Sequence, residues 1–284
     1  MSAFERAVLR IDRPQIQQGM SAQHRVRALM PAAMRGDFAA TDPFLALMED
    51  WFPRGVFDKH PHRGIETVTY VLEGRLDHYD NQGNAGSILP GDAQWMTAGR
   101  GLIHNEIPAE GVIAHTLQLW VHLPAAHKMA EPRYQDLHGD LAPMRREPRA
   151  EARVFSGASG GIVSSTRNYA PVTMVEFRLD PGGSIRQDLP ADYNAVLVLL
   201  SGEASIGRTE AHAAGGDVVW LTRREDTSPS EFTISAPEQS VRALLYAGRP
   251  LREPVVARGP FVMNSEAEIE QAYADYRAGR FGRV

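Results

Sequence analysis

The sequence predicts an all-β protein built from two antiparallel β-barrels with a short helix near its C-terminus. Three observations carry this. Gly and Pro punctuate the 284 residues at intervals of about 8 to 15 positions. The runs between them are short and rich in β-branched and aromatic residues. The two halves of the chain repeat one pattern of strand, turn and Gly-Asp.

The strand candidates run in order: IETVTYVLEG (65–74), HTLQLWVHLP (115–124), APVTMVEFRL (170–179), NAVLVLLSGEASI (194–206) and QSVRALLYAG (239–248). None is separated from the next by a clear helical period, which favours a sandwich or barrel over alternating strand and helix. In the first half an apolar strand turns at Gly74, and a second strand leads to Gly91-Asp92 with Trp95 beyond. In the second half Gly202, Gly216-Asp217 and Trp220 stand in the same order. The offset of about 125 residues marks two copies of one barrel. The polar, proline-rich stretch 128–154 reads as a crossover between them. The boundaries expected are an N-terminal barrel over 1–130, a crossover over 131–165, and a C-terminal barrel with the helix over 166–284. In NSEAEIEQAYADYRAG (264–279), Ser265 and Glu268 form a capping box. Ile269, Ala272, Tyr273 and Tyr276 follow at helical spacing, and Gly279 suits the stop.

One stretch points to chemistry. In HPHRG (60–64) two histidines stand one residue apart. Strand side chains alternate faces, so His60 and His62 point the same way, about 6–7 Å apart, and both can reach one metal ion. A second pair of this kind, His104 and Glu106, lies in GLIHNEIP. On neighbouring strands the two pairs can converge inside a barrel. Three imidazoles and a carboxylate suit Fe, Mn, Ni, Cu or Zn rather than the all-oxygen shell of Ca or Mg. Counting back from Gly202 as from Gly74 reaches Asp188 and Pro190, so the second barrel lacks the pair and one metal per chain is expected. Among the other histidines, His78 and His138 fall in polar stretches read as solvated turns. His115 and His122 read as hydrogen-bonded structural residues on one strand, and His24 and His127 carry no pattern.

Composition narrows the classes further. The 43% hydrophobic and 23% charged content is that of a globular chain with a sizeable core. With no Cys, disulfides, thiolate metal sites and cysteine nucleophiles are excluded. A net charge of -5 argues against direct nucleic-acid binding, and the arginines of REPRAEAR (146–153) and TRRED (222–226) are interleaved with acids. No apolar run is long enough to span a membrane, and MSAFERAVLRIDRP lacks the apolar core of a signal peptide. The expectation is a cytoplasmic monomer.

The stretch HPHRGIETVTYVLEGRLDHYDNQGNAGSILPGDAQWMTAGRGLIHNE resembles the signature of the pirin family within the cupin superfamily. The ending GRPLREPVVARGPFVMNSEAEIEQAYADYRAGRFG is similar to bacterial pirin-type proteins, and the likeness weakens over 128–165. The resemblance implies a bicupin with one divalent metal, iron first, in the N-terminal barrel, held by His60, His62, His104 and Glu106. It also implies a quercetin 2,3-dioxygenase-like activity on a flavonol-like aromatic substrate with dioxygen. Glu106 would then be both ligand and general base, and Gln94, Gln118 and Glu66 are candidates to support the site. The alternative it implies is a redox-sensing regulatory module that binds a protein partner.

Overall fold

Alternation along the strand Gly183–Pro190 separates an inner from an outer face: Ile185, Gln187 and Leu189 are buried, while Ser184, Arg186 and Asp188 are exposed. In the computed structural model, which describes residues 3–31, 35–208 and 210–282, nearly every regular element is a β-strand. The chain forms two compact units. One comprises the chain up to Pro14 together with Leu141–Pro250; the other comprises Gln15–Asp140 and the chain from Leu251 onward.

In the first of these, a seven-stranded sheet accompanies a five-stranded one. Its core is a hydrocarbon cluster that includes Val175, Phe177, Leu197, Phe232, Ile234 and Leu245. In the second, a seven-stranded sheet runs Arg133–Leu137, Ala93–Thr97, Ile65–Glu73, Ala114–His122, Phe44–Phe52, Arg25–Ala28, Gln17–Gln18. A four-stranded sheet runs His60–His62, Leu102–Pro108, Leu76–Asp80, Ala85–Ile88. Here inward positions carry polar side chains, among them Thr69, Glu106, Thr116 and Gln118.

The repeat holds at the level of single hydrogen bonds. Leu89 N–H donates to Asp92 Oδ2 (3.1 Å) and Ala214 N–H to Asp217 Oδ2 (3.0 Å). Gly91 N–H donates to Val71 O (2.9 Å) and Gly216 N–H to Leu199 O (2.7 Å). Both glycines have positive φ, 91° and 95°, which explains why each turn needs Gly before its Asp.

The units depart from the boundaries expected from the sequence at both ends. Val8–Asp12 pairs with Val218–Leu221, and Phe4–Glu5 runs parallel to the strand Pro229–Ala236. Arg6 is buried there, donating to Tyr193 O, Thr222 O, Pro190 O and Ser230 Oγ. The stretch 131–165 contains strands: Arg133–Leu137 extends the sheet of one unit, and the hairpin Met144–Glu147 with Ala150–Ser156 extends that of the other. The arginines and proline of the hairpin masked its pattern, because its first strand is an edge with exposed charge.

The helix Glu266–Arg277 has Ser265 as its N-cap and Gly279 beyond its end at φ 70°. Ile269 and Ala272 pack with Ile103, Phe261 and Phe281, so the helix belongs with the histidine-bearing half. Among the described residues no helix is long and apolar enough to cross a membrane.

Candidate metal centre

Pairing of strands, rather than sequence distance, assembles the histidines. Leu102–Pro108 runs antiparallel to His60–His62 with His104 opposite His60. Directly opposed residues share a face, so His104, His60 and His62 all project inward. One ring nitrogen from each lies within 4.8 Å of the others. The Nε2 atoms of His60 and His104 are 3.1 Å apart.

Backbone carbonyls set two of the tautomers. The Nδ1–H of His60 donates to Asp58 O (2.8 Å), and that of His62 to Pro260 O (3.2 Å). A carbonyl only accepts, so both rings keep their protons on Nδ1 and turn bare Nε2 lone pairs inward. Burial pushes the His62 imidazole down to about 3, the positive charge of a protonated His60 adds to this, and the Pro260 bond opposes it. Burial, followed by the neighbouring His62, His60 and His78, holds His104 well below the ordinary histidine range. Neutral imidazoles with convergent lone pairs repel one another unless a cation or proton lies among them, and neutral imidazole is the ligating form. The donor set therefore fits a transition metal.

The loop after the pair is held in place by contacts on every side. Gly64 has φ +78°, and a Cβ there would meet Val262 O at 2.0 Å and Met263 Sδ at 2.9 Å. The buried Lys128 ammonium donates to Gly64 O (2.7 Å) and Val262 O (2.9 Å). Arg63 donates to Arg100 O (2.6 Å) and to Asp275 (2.7 Å) and lies 4.5 Å over the Phe281 ring.

Glu106 sits two residues beyond His104 on the same face, opposite His78. Its carboxylate stands outside the three-histidine group: Oε1 accepts from Thr69 (2.8 Å) and Oε2 from Gln118 (2.7 Å). Trp120 Nε1–H donates to Gln118 Oε1 (3.1 Å) and so fixes which way the amide faces. The Trp120 ring meets His62 edge-on at 5.0 Å.

A cavity of about 470 Å³ opens onto this group, within the range of small-molecule sites. His60, His62, Glu106, Thr69 and Gln118 line it on one side, and Phe52, Val56, Phe57, Leu76 and Trp120 give it apolar walls. Of the supporting residues expected, Gln118 is at the site. Gln94 instead donates to Asp136 (2.8 Å), and Glu66 accepts from Thr97 (2.7 Å).

Two histidines differ from expectation. His78 lies in the strand Leu76–Asp80, buried and stacked 5.2 Å from Tyr134. His122 is fully buried with neither ring nitrogen bonded among the described residues, and burial pushes it down to about 3. His115 bonds Glu49 (2.8 Å) and stacks on Trp51, as a structural residue should. No sequence pattern marks His24 and Asp50, which form a buried pair at 2.8 Å with Asp50 facing the cavity. They lie 26 residues apart, and neither belongs to a spaced motif.

A duplicated sandwich with an inward histidine cluster in one copy is a bicupin. The chain belongs to the pirin family: the family model "Pirin" matches residues 15–121 and "Pirin C-terminal cupin domain" residues 174–282. It is 40% identical over 260 residues to Pirin of Homo sapiens, covering 87% of this chain and 86% of that protein. Pirin-like protein 2 of Arabidopsis thaliana is 42% identical over 255 residues, covering 87% of this chain and 78% of that one. The crystal structure of quercetin 2,3-dioxygenase from Acinetobacter baumannii is similar with a TM-score of 0.85 at 29% identity, covering 99% of each chain.

Proposed function

We propose that the protein is a metal-dependent dioxygenase of flavonol-like aromatic compounds, with His60, His62 and His104 as metal ligands and Glu106 as fourth ligand and general base. The observation that carries this reading is the convergence of three ring nitrogens within 4.8 Å at the wall of a ligand-sized cavity with aromatic sides. Likeness to the Acinetobacter baumannii quercetin 2,3-dioxygenase supports the substrate class. Iron is the first candidate, with Mn, Ni, Cu and Zn accepted by the same donors.

A bound divalent metal would supply Lewis acidity at the substrate's oxygens. The chain's own groups do the rest. Phe52, Phe57 and Trp120 receive the flat ring system and keep water from its faces. Glu106 takes the proton of the hydroxyl presented to the histidines, and the electron pair of that O–H bond stays on the substrate oxygen. Thr69 and Gln118 aim the carboxylate while it does so.

Dioxygen consumption with quercetin, measured on iron- or manganese-loaded protein, tests the reading. Uptake above that of the metal-free protein is expected, and its absence with every metal would end the reading. The second reading, a regulatory module with a protein partner, draws on the Arg63–Asp275 link. A change at the histidines could reach the surface helix through it, and no turnover would be needed.

A further inference from the structure

Asp50 is one of three carboxylates on the cavity lining, with Asp58 and Glu106, and it is built into place differently from Glu106. It projects from the strand Phe44–Phe52 beside Thr116 of the neighbouring strand. Its Oδ1 accepts from His24 Nε2–H at 2.8 Å. Met20 N–H donates to His24 Nδ1 (3.0 Å), which leaves the ring proton on Nε2 and fixes the direction of the Asp50 bond.

The imidazole is wedged edge-on against Phe52 (6.3 Å) and Phe57 (5.4 Å), both of which line the cavity. The loop that wraps it has Gly19 at its start, where a Cβ would lie 2.2 Å from His24 Nδ1. An exposed carboxylate would need none of this support.

Glu106 has both oxygens engaged by neutral donors, whereas Asp50 Oδ2 accepts no hydrogen bond among the described residues. Burial pushes the Asp50 carboxyl up, against the pull of His24, and the nearby Glu106 and Glu49 charges add to the rise. Asp50 lines the cavity, and its Oδ2, free of protein donors, is open to a donor from the ligand, which would bury it.

We propose, building on the dioxygenase reading, that Asp50 held by His24 is a specificity-determining residue. Its Oδ2 accepts a hydrogen bond from a second hydroxyl on the substrate, remote from the one that faces the histidines. The cavity therefore selects polyhydroxylated aromatic compounds over ligands that carry only the hydroxyl near the metal. His24 acts through Asp50 and is a positioning residue.

The test compares quercetin, which has several hydroxyls, with 3-hydroxyflavone, which has one. Equilibrium binding to the metal-loaded protein is followed without dioxygen, and turnover is measured separately. The wild type is expected to bind quercetin at least about tenfold more tightly, since an acceptor covered by a ligand and left unpaired penalises the ligand lacking the hydroxyl. Asp50→Asn should cut quercetin affinity by about tenfold more than 3-hydroxyflavone affinity, with metal content at the wild-type level. His24→Phe keeps the packing against Phe52 and Phe57 but loses the donor, and should reduce the same preference. Equal losses for both ligands, or no loss for either, in Asp50→Asn would overturn the proposal. So would a wild type that binds the two alike. Ligand selection that depends on Asp50 in a protein with no dioxygen uptake would refute the dioxygenase reading and leave the recognition role standing. Failure of the wild type to bind either compound would overturn both.

Discussion

Arg63 Nη1 donates to Asp275 Oδ2 over 2.7 Å, joining the histidine segment to the C-terminal helix of the same unit. The relationship explains why an arginine follows the histidine pair. Arg63 also holds Arg100 O, so one guanidinium ties the segment to a strand-side loop and to the helix at once. Burial works to raise the Asp275 carboxyl, but donors from Arg63, Gln271 and Arg280 outweigh it and hold it at about 2. A carboxyl depressed in the native state stabilises the fold above its unfolded value of 3.8, and that contribution fades as pH falls from there to about 2. Asp275→Asn is therefore expected to cost about 1–2 kcal/mol at neutral pH. The gap between variant and wild type should narrow in denaturant melts as pH falls through that window. A gap that is constant with pH would mean the pair contributes nothing through charge.

Gly64 answers for the other end of the motif. A side chain there meets the Val262 carbonyl at 2.0 Å and requires a φ of +78°. Gly64→Ala is expected to destabilise by more than about 2 kcal/mol, from backbone strain and displacement of the strand Phe261–Met263. Calorimetry showing an unchanged Tm would remove this account of the glycine.

The parts of the site that were legible in the sequence are those with a period of two. His60 with His62, and His104 with Glu106, are i, i+2 pairs, and strand geometry fixes their common face before any fold is known. Which strands become neighbours is not written locally, so the Asp50–His24 pair left no trace. His78, expected in a solvated turn, is buried for a related reason. It faces a barrel interior that is polar, where the usual link between polarity and exposure fails. The repeat was legible because its Gly-Asp turns depend on conformation, and the same bonds recur at Asp92 and Asp217. The termini were not, because Phe4 finds its partner at Ser230, far along the chain.

One tightly held metal ion per chain is expected. In the second copy Asp188 points outward and accepts from Gly160 N–H (2.7 Å), and a hydrocarbon cluster fills the core. His62→Ala and His104→Ala should each lose most metal affinity yet remain folded, since both units bury apolar cores of their own. Elemental analysis finding two tightly bound ions, or loss of the far-UV β signal in either variant, would contradict this.

Lys128 predicts a rise of stability on the alkaline side. Burial pushes its ammonium down from 10.5 to about 7, partly offset by Glu253 and Glu268. Between those values the unfolded chain holds a proton that the native state has shed, so this group makes stability increase with pH from about 7 to 10.5. Lys128→Met retains the buried stem and removes the titration. Urea melts should give a smaller upward slope for the variant in that window. Parallel slopes would place the Lys128 proton elsewhere than the buried pocket between Gly64 O and Val262 O.

Glu106→Gln separates metal binding from chemistry. The amide keeps the size of the side chain and an oxygen that can accept from Thr69 or from Gln118, but its NH2 group then faces the remaining donor. That mismatch should cost about 1 kcal/mol of stability. The three imidazoles are unchanged, so the variant should retain measurable metal. It has lost the negative charge and the capacity to take a proton, and turnover of quercetin should fall by at least about 100-fold, the usual contribution of a general base. His62→Ala should behave differently: its activity should fall in proportion to metal lost, and excess metal should restore part of it. If fully metal-loaded Glu106→Gln oxidises quercetin at a near-wild-type rate, Glu106 is not the base. The hydroxyl proton must then leave by another route, and Asp50, a further carboxylate on the cavity, becomes the first residue to test for it.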